Sequence, residues 1–251
     1  MRPQQTSLDR GLRLLALLRE RGELRLSQII EELGSSRATV FRALATLQAH
    51  GFVEHDRSGH VYRLGPALRD GPPPGIVRHS QAALEDLAER TRETAGLAVI
   101  QGRRITYAAL VEGSYSVRFV AEAGAVIPAH ASAAGKAVLA ALGPDQRDLV
   151  LGSDPYAEFT PRTLVRRAPL EWDLEAVRER GYALDDQEME RGTRAVAVAV
   201  LDGGRRPLGA IMVAAPANRL GPSDVPKLGR AIDRWCDRIA DRLLVGGSKG
   251  R

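Results

Sequence analysis

The sequence predicts an α+β protein in two parts: an N-terminal winged helix-turn-helix and a larger domain of mixed strands and helices. Three observations predict it. Ile30, Gly34 and Val40 fall at the spacing Ile-x3-Gly-x5-Val, which suits two helices crossing at a tight turn. Asp56-Arg-Ser-Gly59 is a hairpin turn signal between two short β-like runs, residues 52–55 and 60–64. Beyond Arg69-Asp-Gly-Pro-Pro-Pro-Gly75, strand-length apolar runs alternate with helical spacing.

The first helix is expected from Leu8, Gly11, Leu12, Leu15 and Leu18, with Ser7 as N-cap and Arg21-Gly22 as stop. Ser27 is expected to cap the second helix, which runs to Leu33. A buried Ile30 closes it, and Gly34 takes the turn conformation that other residues resist. In the third helix Val40, Ala43, Leu44 and Leu47 share one face, while Ala38, Arg42, Ala45 and Ala49 lie opposite. From Ser35 to His50 there are two arginines and no acids. Small residues and an arginine on an outer face suit a helix pressed into the major groove. Gly51 should end this helix in the left-handed conformation.

These features point to double-stranded DNA as a partner. Arg42, outward in mid-helix, is the candidate base reader, with guanine as its natural match. Arg37 and Ala38 open the same helix, where Arg37 suits a base or a phosphate equally. Ser35, Ser36 and Thr39 are expected to cap and to touch phosphate. Phe41 either packs on the wing or meets a thymine methyl. In the wing, Arg57 at the tip and His60 beside it reach toward the backbone or the minor groove.

Composition agrees without proving the point. The 251 residues suggest two domains, at 1–68 and 76–245, joined by a stiff linker at 69–75 and followed by a tail at 246–251. The formal charge is +5 and is spread over both parts, so charge alone does not establish nucleic-acid binding. One cysteine, Cys236, excludes an intrachain disulfide and a cysteine-based zinc site. The N-terminus has no signal-peptide pattern and no run is long enough for a membrane span, so a soluble, cytoplasmic protein is expected.

In the second part, helices are expected over Gln81–Thr91, Ala133–Leu142 and Leu174–Arg180. Strands are expected over Leu97–Gln101, Ile105–Val111, Ser116–Val120, Val196–Leu201 and Leu208–Ala214. Asp202-Gly-Gly-Arg-Arg-Pro207 joins the last two as a hairpin. Leu228, Ile232, Trp235, Ile239 and Leu243 mark a closing amphipathic helix. About six strands with helices at both ends describe a sensor-type sheet domain.

The chain resembles the IclR family of bacterial transcriptional regulators over almost its whole length. Ser36-Arg-Ala-Thr-Val-Phe-Arg-Ala-Leu-Ala-Thr-Leu47 is similar to the family's DNA-binding helix. Ala121–Ala137, with Pro128-Ala-His-Ala131 and Gly135-Lys-Ala137, is similar to its most specific signature, and Gly181–Gly192 to a third block. The resemblance implies a GAF-like effector-binding domain, a homodimer or dimer of dimers, a near-palindromic operator and small-molecule control, with no cofactor. It also implies an effector pocket at Phe119, Ile127, Ala133, Ala134, Asp185, Ala195, Met212 and Ala214.

Here the sequence departs from the family. Ala195 stands where a cysteine is frequent, and Met212 and Ala214 where small hydroxyl residues are common. A carboxylate buried without those donors is costly. An effector larger or more apolar than glyoxylate or pyruvate is therefore expected.

Catalytic readings are weaker. Gly135-Lys136 lacks the earlier glycine and the Ser or Thr of a phosphate loop. Ser132 and Lys136 are one residue too far apart for a Ser-x-x-Lys pair. His130 has no partner at metal-ligand spacing, and a structural role is expected for it and for Lys136. Asp185, Asp186 and Glu188 form an acidic cluster that orients an effector or solvates a loop. The alternative to a regulator is an enzyme whose winged helix serves only in protein contacts.

Overall fold

The computed structural model describes residues 7–56, 60–65, 68 and 75–247, with side chains as far as 243. The chain divides into two compact units between Gly71 and Pro72.

The first unit packs α1 (Ser7–Arg21), α2 (Leu26–Leu33) and α3 (Arg37–Ala49) against a small sheet. Leu14, Leu18, Ile29, Leu33, Val40, Leu44, Val53 and Tyr62 form its core. The fully buried isoleucine of α2 is Ile29, while Ile30 packs at the margin of the core. The one-residue difference follows from helical phase, since Ile29 and Leu33 stand one turn apart on the inner face. Ser7, expected as a cap, is itself the first helical residue. Ser27 lies inside α2 and does not cap it. The Arg25 amide donates to Gln28 Oε1 at 2.8 Å instead. Gly34 closes α2 at φ 58°. A Cβ there would meet nothing within 4 Å, so the backbone angle and not space demands glycine.

Ser36 caps α3, accepting from the Thr39 amide. The helix ends in a Schellman arrangement: Phe52 N donates to Leu47 O at 2.8 Å and Gly51 N to Gln48 O at 3.0 Å, with Gly51 at φ 72°. The wing strands β2 (Val53–Asp56) and β3 (Val61–Leu64) pair antiparallel, as the hairpin signal predicts. A two-residue strand β1 (Leu24–Arg25), invisible to periodicity, joins the other edge of β3.

The second unit is built on a six-stranded antiparallel sheet in the order β6-β5-β4-β9-β8-β7. Its strands are β4 (Thr94–Gln101), β5 (Arg104–Val111), β6 (Val126–Ile127), β7 (Ala183–Asp186), β8 (Thr193–Leu201) and β9 (Pro207–Pro216). Helices α4 (Ile76–Thr91) and α8 (Val225–Gly247) contribute to the core on one face. Helices α5 (Ala133–Ala141) and α7 (Arg167–Arg180) contribute to the core on the other, and α6 (Pro144–Leu151) stands between them in sequence.

Several expectations fail here. Residues 116–120 are not a strand. The place beside β5 is taken by Gly124–Ile127, with Tyr107 N donating to Ala125 O at 3.0 Å and Ile105 paired to Ile127. The 112–120 loop is pinned by side chains instead: Thr94 Oγ1 donates to Phe119 O at 2.5 Å, and Arg92 and Arg219 both stack on Tyr115 at 4.3 Å. Helices α4 and α7 also begin earlier than their apolar spacing suggests, and α8 runs into the expected tail.

Candidate functional site

Two regions of the chain bring together the residues singled out above, one in each unit. On α3, the inner positions Val40 and Leu44 are buried and the outer face is open. Arg37, Ala38 and Arg42 are exposed, and Phe41 is 56% exposed. Among the described residues, Arg42 Nε makes a long bond, 3.4 Å, to Ala38 O of its own helix. Ser36 Oγ lies 2.9 Å from Thr39 Oγ1, and Ser35 Oγ donates to Leu33 O at 3.3 Å. Ser35 therefore holds the turn and does not cap. His60 is exposed at φ 52° beside the wing turn. Arg57 lies outside the described residues. Arg63, a further basic residue of the wing, is committed to Glu54 at 3.1 Å and Glu23 at 3.2 Å.

In the second unit, α5 begins against the sheet. Ser132 caps it, accepting from Gly135 N at 3.1 Å and donating to Pro128 O at 2.8 Å. Gly135 is required by space. A Cβ there would collide with Ala129 O and sit 2.6 Å from Ala129 Cα, so only glycine lets the Pro128–Ser132 turn fold onto the helix. The first amides of a helix have no partner within it, and they carry the positive end of its dipole. Here Ala133 and Ala134 line a cavity.

Phe119, Asp185, Ala195, Met212 and Ala214 line the same cavity. Ile127 does not reach it and lies in the core cluster behind. Tyr107, Ser132, Met189, Glu190 and Thr193 complete the lining, and sequence reasoning missed them as site residues. The signal for Tyr107 was strand alternation from Ile105. Met189 and Glu190 sat within a quoted block. The cavity offers about 10 Å³ to water centres, about the room for one water molecule.

Asp185 is buried, and its Oδ1 accepts from Glu188 N at 2.7 Å and Met189 N at 3.3 Å. Burial pushes its carboxyl up to about 6 against those two amides. Behind it, Lys136 is 1% exposed and meets Glu188 Oε1 at 2.5 Å and Asp173 Oδ2 at 2.8 Å. Burial raises Glu188 to about 7, against the pull of Lys136. Asp186 is drawn away by Arg194 and Arg162, each at 2.6 Å, so the acidic cluster splits into separate tasks. His130 bonds Ala157 O at 2.8 Å and packs on Tyr156 and Phe159. Among the described residues no group of His, Cys, Asp and Glu could hold a metal ion. None of their helices is long and apolar enough to cross a membrane.

A family model for the IclR helix-turn-helix domain matches residues 7–57, and one for the bacterial transcriptional regulator IclR C-terminal region matches residues 74–241. The chain belongs to the IclR family of bacterial transcriptional regulators. Among relatives of this IclR-family chain, the HTH-type transcriptional regulator XynR of Escherichia coli K12 is 34% identical, over 87% of this chain and 89% of that one. The glycerol operon regulatory protein of Streptomyces griseus is 35% identical, over 96% and 97%. A solved IclR-type regulator from Silicibacter sp. TM1040 shares 31% identity with a TM-score of 0.64, covering 95% of this chain and 96% of that one. The Thermotoga maritima IclR structure, at 23% identity and the same TM-score, over 96% and 99%, matches in fold. The chain is thus a DNA-binding transcription regulator of α+β architecture, and the enzyme alternative falls.

Proposed function

We propose that this regulator binds a near-palindromic operator sequence-specifically, and that a small molecule in the α5 cavity sets its affinity for that operator. Residues 1–68 serve as the DNA-binding domain, 69–75 as linker and 76–245 as the effector domain, acting in the cytoplasm. The observation that carries the reading is the convergence of Phe119, Ala133, Ala134, Asp185, Ala195, Met212 and Ala214 on one cavity at a helix N-terminus. The two leading amides suit the polar end of a ligand, Asp185 suits a donor, and Phe119, Met189 and Met212 suit an apolar body. With alanines at 195 and 214 and methionine at 212 the lining lacks donors there for a small carboxylate, which favours an effector bulkier or more apolar than glyoxylate or pyruvate, one that the cavity must open to admit. Its leverage over DNA equals its difference in affinity for the two states of the protein.

A homodimer, or a dimer of dimers, is supported by α1. Leu8 is 71% exposed and Leu12 57%, with half-buried Leu15 continuing the stripe. A dimer sets two α3 helices into successive major grooves.

The test is fluorescence anisotropy with DNA from the gene's own upstream region, at two salt concentrations, against scrambled DNA. Salt-dependent preference for the upstream DNA is expected. Equal binding to both would overturn sequence-specific recognition. Arg42→Ala should weaken operator binding by about 1–3 kcal/mol and relax one base position. Isothermal titration with glyoxylate and pyruvate should give no micromolar binding, and micromolar binding would overturn the assigned effector class.

A further inference from the structure

We propose that Met212 and Gly96 together set the size of molecule that the α5 cavity admits. This rests on reading the cavity as the effector site. The two residues stand opposite each other, on β9 and β4, in register. Residues paired across an antiparallel sheet point to the same face. On this face the central strands carry Ala98, Ala195, Ala197, Ala210 and Ala214, all in the core beneath α5. Met212 is the large flexible side chain among them, buried and in the cavity lining.

Its position depends on Gly96. A Cβ built on Gly96 would fall 2.6 Å from Met212 Cε and 2.9 Å from Leu110 Cδ2. Gly96 is not in the left-handed region, so no backbone angle demands glycine there. What glycine supplies is room, and the Met212 methyl occupies it. A thioether chain with three rotatable bonds fills such gaps and leaves them easily. The cavity has room for about one water, with Met212 in its lining and the Met212 methyl filling a pit over Gly96.

Two substitutions then push the cavity in opposite directions. Met212→Ala removes the plug and joins the space over Gly96 to the cavity. Gly96→Ala fills the pit and drives the Met212 end toward Ala133, Ala134 and Asp185. Ala195 and Ala214 lack the bulk to compensate in either case.

The chain has three methionines, so methyl-labelled methionine gives a three-line NMR spectrum of the full-length protein, with Met212 assigned by its loss in Met212→Ala. Benzene probes the apolar volume alone, and phenylpyruvate adds a carboxylate to an aromatic body. Benzene should bind Met212→Ala at least tenfold more tightly than it binds the wild type, with the Met189 methyl shifting on binding. Gly96→Ala should move the Met212 methyl resonance and weaken phenylpyruvate at least tenfold. Met212→Val, a smaller deletion suited to a strand, gives the intermediate benzene affinity and serves if the alanine variant does not fold. Benzene affinity unchanged in both Met212 variants, or an unmoved Met212 methyl in Gly96→Ala, overturns the proposal. Operator anisotropy separates the two readings. Benzene that enters Met212→Ala without changing operator affinity upholds the size-setting role of Met212 and refutes the cavity as the effector site.

Discussion

On the face of the sheet turned toward α4 and α8, the strands present Leu97, Val99, Val196, Val198, Val200, Ile211 and Val213, which pack on Leu84, Leu87, Ile232 and Ile239. On the face turned toward α5 the same strands present Ala98, Ala195, Ala197, Ala210 and Ala214, with Met212 among them. The first face is a close-packed interior of branched side chains. The second lets a helix backbone come close to the sheet, as Gly135 and the alanines of α5 require, and leaves a cavity at its end. Where it faces the sheet α5 meets little side-chain volume, and beside its packing through Val138 and Leu139 it is tied by charge, through Lys136 to Glu188 and Asp173. One sheet thus separates stability from ligand access by face, within a two-residue repeat.

The largest break in this contrast should come from the ionic tie. Lys136→Ala leaves Glu188 and Asp173 without their buried cation, and a loss of about 3–5 kcal/mol is expected. Urea unfolding of the second unit measures it. A loss below about 1 kcal/mol would mean that α5 is held by its apolar contacts, against the ionic account. Replacing all three groups with neutral isosteres (Lys136→Met, Asp173→Asn and Glu188→Gln) should recover most of the loss.

Next come the two faces themselves. Ile211→Ala, on the branched face, should cost about 2–5 kcal/mol through lost contacts and the void left behind. Ala197→Val, one strand over and on the opposite face, adds volume where α5 lies close, and should cost about 1–3 kcal/mol. The signs of the volume changes are opposite and both variants lose stability. A stabilising Ala197→Val would show that the α5 face is underpacked throughout, which would remove the distinction.

These faces differ in how legible they were. The branched face is written locally: Val196–Leu201 and Leu208–Ala214 are apolar runs of strand length around a glycine turn, and both strands form. Helix α3 was equally plain, because Ser36 and Gly51 mark its ends by backbone chemistry that acts over a few residues. Strand β7 was missed because Asp185 and Asp186 do not look like a strand until β8 supplies their partners. Helix α6 carried a signal that went unread, Gly143 followed by Pro144 at the first helical position.

The cavity was seen only through resemblance to a family. Physical reasoning from the chain had no means to bring Tyr107, Thr193 and Met189 together, since that depends on strand order. The demand for glycine at 96 is likewise set by a residue more than a hundred positions away, and no local pattern records it.

The last expected effect is a pH dependence centred on the α5 face. Glu188 Oε1 meets Lys136, while its buried Oε2 has no hydrogen-bond partner. Burial raises this carboxyl from the ordinary 4.5 to about 7, with Asp185 and Asp173 adding to the rise and Lys136 opposing it. Asp185 is raised in the same sense, to about 6. An acid with a raised folded-state pKa binds more protons folded than unfolded within that window, so stability falls as pH rises through it. The decline should begin near 4.5, where the unfolded carboxyl starts to ionise, and level off once pH passes about 7. Glu188→Gln keeps the shape and one acceptor for Lys136 but cannot ionise, so the decline between those limits should flatten, leaving the parts due to Asp185 and Asp233, which burial also raises, and the opposing part due to His130, which burial lowers. Urea midpoints taken from pH 4.5 to 8 measure the slope. A slope unchanged in Glu188→Gln would place the ionisation elsewhere. A steeper one would mean that Lys136 depends on the Glu188 charge more than burial opposes it, reversing the sign argued here.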